Sequence, residues 1–237
     1  MFEALLFDLD GTMLNVEISH FLKHYLKEMA KSAEQHGLPG KEIVQRVLAS
    51  TEVMIKACDG SMTNEEKFWD DFQKNWKYDY AEAQNFFRFF YDHRFPLLKD
   101  HCGRYPLAEK IMKEAFNKGV KVAMATNSVF PLQAIEMRMD WAGIGGFPYA
   151  LITSYEIMHY CKPHPEYYLE IAKLLQVDPH KCLMIGNDTG EDLIAEKTGM
   201  KTFLVEDLVI DRKTQFVPDW RGSLSELYHF FVCGFPG

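Results

Sequence analysis

The chain has 237 residues, 47% hydrophobic, 14% aromatic and 25% charged, a composition that excludes a disordered chain and is long enough for a large core without disulfide staples. Twenty-six Lys and Arg against 34 Asp and Glu leave a net charge of −8, so it lacks the broad basic field that gathers nucleic acid or anionic lipid. No apolar run reaches the about 18 residues of a membrane span, and no secretory leader pattern opens the sequence. A cytoplasmic chain is expected, with a small molecule rather than nucleic acid or a membrane as partner.

The five cysteines (Cys58, Cys102, Cys161, Cys182 and Cys233) are scattered, odd in number and never spaced C-x-x-C, which reads as free thiols. His159 and Cys161 lie close together, but no second pair accompanies them, so no zinc site is expected there.

In chain order, the apolar run 2–7 stopped by Asp8-Leu9-Asp10-Gly11-Thr12 predicts a buried strand and a turn. Residues 16–94 then show helical stripes only. Ile18, Phe21, Leu22, Tyr25, Leu26 and Met29 recur at helical spacing, leaving Lys23, Lys27 and Lys31 for a solvated face. Thr63 with Glu66 predicts a capping box ahead of Phe68, Trp69 and Phe72. Phe86, Phe87, Phe89, Phe90 and Tyr91 could form a stacking platform, but core packing of a helical bundle is the expectation. Beyond this insert, helices over 107–117, 132–141, 166–175 and 191–198 alternate with strands over 120–125, 149–152, 182–185 and 202–205. Pro131 and Pro165 begin two helices, and Gly119 and Gly199 end two others. This alternation predicts an α/β chain, a three-layer doubly wound parallel sheet. Its core comprises 1–15 and 97–237, and an all-helical cap spans 16–96. Joints are expected near 14–17 and 95–99. The cap leaves the carboxyl end of the first strand, where open α/β sheets bind ligands, and is positioned as a lid.

Polar residues punctuate the same strand ends. Asp8 and Asp10 follow the first strand, and Thr126-Asn127-Ser128 the second. Lys162-Pro163-His164-Pro165 comes after the third, and Gly186 to Asp192 after the fourth. One Asp after a strand is ordinarily a turn or helix cap; the ordered set argues for a shared site.

These segments, FDLDGT, ATNS, KPHP and GNDTGED, resemble the four motifs of the haloacid dehalogenase-like (HAD) hydrolase superfamily. The resemblance covers the whole chain and includes a helical cap after the first motif, as in phosphoglycolate phosphatase- and β-phosphoglucomutase-like members. It implies a Rossmann-type core and a phosphoric monoester hydrolase working through an aspartyl-phosphate. Asp8 would be the nucleophile, and Asp10 would protonate the leaving alcohol and then accept a proton from water. Two close carboxylates beside a phosphate call for a divalent cation, and hard oxygen ligands favour Mg²⁺. By resemblance, Asp8, the Asp10 carbonyl and Asp188 hold it, Thr126 and Asn127 bind phosphoryl oxygens, and Lys162 offsets charge. Asn187 stands where the family commonly has Asp. Asp188 is therefore assigned to the metal, with Asn187 and Asp192 as alternatives or outer partners, Asp192 for Lys162.

Asp10 argues against carbon–halogen cleavage, because a halide leaving group needs no proton whereas an alkoxide does. A phosphomutase would share every core residue, and a non-catalytic regulatory protein on this scaffold is a further alternative. Asn15, Glu17, His20 and His24 follow the first motif and could reach the leaving group or be plain cap and surface residues. The substrate expected is a small phosphorylated metabolite, phosphoglycolate or a sugar phosphate foremost.

Overall fold

A computed structural model describes residues 1–233. The opening run forms β1 (Ala4–Phe7), buried throughout, and the chain then enters a short strand, β2 (Leu14–Asn15). Four helices follow: α1 (Ile18–Gln35), α2 (Gly40–Lys56), α3 (Asn64–Asn75) and α4 (Tyr80–His93). A 3-10 helix, Phe95–His101, carries the chain to β3 (Gly103–Arg104), which pairs antiparallel with β2. The return from the cap thus runs through a two-stranded ribbon beyond the joint expected at 95–99, whose two-residue strands were too short to carry a periodic signal.

The rest alternates: α5 (Ala108–Asn117), β4 (Lys121–Met124), α6 (Leu132–Ala142), β5 (Leu151–Ile152), α7 (Pro165–Leu175), β6 (Cys182–Gly186), β7 (Lys201–Val205), β8 (Trp220–Gly222) and α8 (Leu224–Cys233). The sheet order is β5-β4-β1-β6-β7-β8, all parallel. β1 is central, and the chain builds outward from it first on one side and then on the other. That reversal opens the crevice at its carboxyl end. Leu5 and Phe7 pack into the layer holding Ile111 of α5 and Phe231 of α8; Ala4 and Leu6 pack against Tyr167, Tyr168 and Ile171 of α7. This period-2 alternation between two apolar faces gives the three layers.

Two expectations need correction. Residues 191–198 do not form an α-helix: the chain turns and then makes a 3-10 helix over Leu193–Thr198. The Asp188 carboxylate accepts from the N–H groups of Gly190 and Glu191 at 2.8 and 2.9 Å, which holds that backbone in a turn. The strand expected over 149–152 is only Leu151–Ile152.

In the cap, Thr63 and Glu66 form the capping box at the start of α3. Phe68, Phe72, Phe86, Phe87 and Phe90 are buried, so the aromatic block packs as core. Lys23, Lys27 and Lys31 are exposed. The start of α3 is also fastened to the core. Asn64 and Glu65 donate backbone N–H bonds to the carbonyls of Met158 and Tyr155 at 2.7 and 2.8 Å. The Asn64 amide reaches Ser128 Oγ at 2.9 Å and the Tyr160 carbonyl at 3.2 Å, and buried Lys67 donates to the His159 carbonyl at 2.5 Å.

Candidate active site

β1 ends at Phe7, so Asp8 emerges at the carboxyl end of the central strand, with its N–H still bonded to the Ile185 carbonyl of β6 at 2.8 Å. Gly11 follows at φ +80°, and a Cβ there would lie 2.3 Å from Asn187 Nδ2. Only glycine lets the two loops meet this closely. Thr12 ties them together, donating to Asp8 Oδ2 at 3.1 Å or Asn187 Oδ1 at 3.0 Å.

Lys162 is the centre of charge. It is 1% exposed, and its Nζ donates to Asp8 Oδ1 at 2.9 Å and to Asp192 Oδ1 at 2.6 Å. Gly186 makes room for Asp192, since a Cβ there would fall 2.1 Å from Asp192 Oδ2. That oxygen in turn accepts the Asp188 N–H at 2.9 Å. Asn127 joins the second, third and fourth motifs: its Oδ1 accepts the Lys162 N–H at 3.2 Å and its Nδ2 donates to Glu191 at 3.0 Å. Thr126 is buried, and its carbonyl accepts from Tyr167 Oη at 2.6 Å and Thr153 Oγ1 at 2.7 Å. Asp8, Asp10, Thr126, Asn127, Asp188 and Asp192 all line one cavity. Asn187 is committed to structure, donating to the Leu208 carbonyl at 2.6 Å besides its bond with Thr12.

One lysine between two buried carboxylates leaves net negative charge. Burial raises Asp8 above the ordinary carboxylate range, against the pull of Lys162. Burial likewise pushes Asp192 up to about 6 from 3.8. Burial alone would lower Lys162, but Asp192 and Asp8 outweigh it and hold the ammonium well above the usual lysine value. The Asp192 shift carries a stability cost whose sign is fixed. Below pH 3.8 both folded and unfolded forms are protonated. As pH rises towards 6 only the unfolded form ionises, so stability falls, by on the order of 3 kcal/mol once both have ionised. Asp192→Asn is expected to flatten this fall; denaturant titrations of the metal-free chain at about pH 4 and about pH 7.5 measure it.

Sequence reasoning missed Arg138. This arginine of α6 is fully buried, forms an ion pair with Asp10 Oδ2, and lies 4.5 Å from the Phe130 ring centroid. Its position was readable, because it shares the buried stripe Ala134, Ile135, Met139, Ala142, where an unpaired charge is costly. Arg212 was missed too: its Nε donates to Asp188 Oδ2 at 2.8 Å. The residues after the first motif turn elsewhere. Asn15 lies in the ribbon beside Gly103, and Glu17 caps α1 by accepting the N–H groups of Ser19 and His20. Ile18, Leu22, Tyr25 and Leu26 face the cavity; at 100° per residue His20 and His24 fall on the opposite side of the helix. There they gather with His101, ligand nitrogens within 4.8 Å of one another. His24 and His101 stack at 3.7 Å, so their in-plane lone pairs run side by side rather than converge. His159 bonds Glu170 through Nδ1 at 2.6 Å, and Cys161 is buried.

A hard divalent cation fits the acidic floor on two counts. The donors are carboxylate oxygens. The guanidinium of Arg212, half exposed, already stands as a positive charge against Asp188.

Among the described residues no helix is long and apolar enough to cross a membrane. The chain is 21% identical over 235 residues to a pyrophosphatase PpaX of Bacillus mycoides, covering 91% of this chain and 95% of that one. By structure it is similar to a HAD phosphatase from Thermococcus onnurineus (TM-score 0.59, 18% identity, 98% of both chains). It is similar also to the L-2-haloacid dehalogenase of Xanthobacter autotrophicus (TM-score 0.58, 16% identity, all of both chains). At those identities the likeness is one of fold. Residues 2–197 match the haloacid dehalogenase-like hydrolase family, and with the motif residues gathered at the carboxyl edge of the sheet, the chain belongs to that family of enzymes.

Proposed function

We propose that the chain is a Mg²⁺-dependent phosphatase that hydrolyses a phosphate monoester of a small molecule through an aspartyl-phosphate on Asp8. The observation that carries this is the buried Lys162 ammonium held between Asp8 and Asp192 at the head of a cavity shared with Asp10 and Asp188. Asp8 attacks phosphorus with the Oδ atom not committed to Lys162, and the P–O bond to the alcohol breaks. Asp10 gives its proton to the departing oxygen and later accepts one from the water that cleaves the acyl-phosphate. Arg138 holds one Asp10 oxygen, leaving the other for that proton. Thr126 and Asn127, at the next strand end, receive the phosphoryl oxygens. Lys162 stays charged throughout, offsetting the nucleophile before attack and the phosphoryl group after it. Asp192 holds Lys162 in place. The Asp8 carboxylate, the Asp10 backbone carbonyl and the Asp188 carboxylate would hold the cation. When bound it supplies charge neutralisation that lets a dianionic phosphate approach two carboxylates.

The pyrophosphatase name of one relative and the phosphatase name of a structural neighbour agree with phosphoryl chemistry. The dehalogenase neighbour does not override Asp10, a proton donor that a halide leaving group does not need. Hydrolysis of p-nitrophenyl phosphate should require Mg²⁺ and stop on chelation with EDTA, returning when Mg²⁺ is restored. Turnover undiminished by EDTA would reject this function.

A further inference from the structure

The cavity beneath the cap has a volume of about 660 Å³, room for an organic group of a dozen or more heavy atoms and far beyond what a phosphate needs. Its floor is the carboxylate cluster. Its cap walls are Leu22, Leu26, Val47, Phe68, Trp69 and Phe87, with Val129 and Phe130 on the core side. The polar groups among these walls are few, the hydroxyls of Thr51 and Tyr155 among them. Tyr25 and Tyr91 hydrogen-bond to each other at 3.0 Å. Glu156 is engaged by the Leu132 N–H at 2.9 Å. Burial and then the nearby Glu156 charge push the Glu65 carboxyl up, so this wall already resists a second negative charge and opposes a second phosphate. Gln84, Arg88 and Gln133 are exposed, so they mark the mouth rather than the interior. A glycolate would leave most of this space unfilled, and a sugar would set most of its hydroxyls against apolar side chains, which is penalised wherever a hydroxyl is left without a partner.

Resting on the phosphatase reading of the same site, we infer that the substrate class is the monophosphate of an apolar alcohol, an arylalkyl or medium-length alkyl chain that fills the cap cavity while its phosphate sits on the carboxylate floor. Such a ligand gains a factor of about 4 in affinity for each methylene it buries, and the aromatic walls suit either a chain or a ring.

The test is calorimetric binding of methyl, butyl, hexyl and octyl phosphate and glycerol phosphate to the Asp8→Asn chain with Mg²⁺. These are esters of ordinary alcohols, so the same series compares kcat/KM in the unaltered enzyme with little bias from leaving-group basicity. Affinity is expected to climb about two- to four-fold per methylene up to hexyl, and octyl phosphate to bind at least about a hundred-fold tighter than glycerol phosphate. Leu22→Asn, on a half-buried position, should weaken octyl phosphate about ten-fold and leave methyl phosphate unchanged. A flat series, or glycerol phosphate bound as well as octyl phosphate, overturns the inference; if hydrolysis of glycerol phosphate is nevertheless Mg²⁺-dependent, the phosphatase reading stands. A climbing binding series with no hydrolysis by the unaltered chain supports apolar recognition and defeats the phosphatase reading instead.

Discussion

Asp8→Asn is expected to lower kcat for phosphate esters by at least about a thousand-fold, with KM changed less than about ten-fold. The amide keeps the shape of the side chain and can still meet Lys162 and Thr12, but it does not form the acyl-phosphate. The same substitution should leave the metal-free chain as stable as before or more so. In the native chain, burial lifts Asp8 above its ordinary range, so its ionised form is held at a cost, and two carboxylates share one lysine. Removing one negative charge from that trio relieves the imbalance. Steady-state kinetics and a thermal melt with EDTA present measure both halves. Full activity in the variant would remove Asp8 from the chemistry; a melting point lowered by many degrees would show that Asp8 chiefly holds the loops together.

The second large effect is that of Lys162→Met. This change preserves the long apolar stem and deletes the cation, leaving Asp8 and Asp192 facing each other at 8% and 1% exposure. Breaking a buried ion pair from one side destabilises by about 3–5 kcal/mol, and activity should fall at least about a hundred-fold through lost charge stabilisation. The variant has a pH signature that a simple packing defect lacks. Its loss of stability should shrink as the medium is acidified and the stranded carboxylates take up protons, and adding Asp192→Asn should restore much of it. Denaturant unfolding across pH reads both. A loss independent of pH, unaffected by Asp192→Asn, would contradict the charge argument.

Much of this arrangement was legible in the chain because it rests on local signals. The β1 run, the stops at Asp8 and Thr126, and the Pro-to-Gly punctuation of the helices each reflect one element's own backbone preferences. Thr63 with Glu66 announced a helix start that the structure contains. What stayed hidden depends on distant partners. β2 and β3 are two residues each and exist only as a pair. β8 and α8 complete an edge of the sheet with weak patterns of their own. Arg138 was visible as a charge on an apolar stripe, but only the fold shows that Asp10, 128 positions away, is its counterion. Asn187 stands where a carboxylate was anticipated, and its contacts with Gly11, Thr12 and the Leu208 carbonyl show it knitting loops. Helical phase alone places His20 and His24 away from the cavity, a geometric test that the sequence allowed.

The bonding of the first turn of α3 to residues 155–160 of the core bears on how molecules come and go. A lid tethered only by its ribbon could swing wide and open the carboxylate floor to solvent. Riveted at a second point, this one moves as a door hung on both jambs: it flexes without parting from its frame. Traffic is left to the rim where Leu48, Gln84 and Arg88 reach the outside.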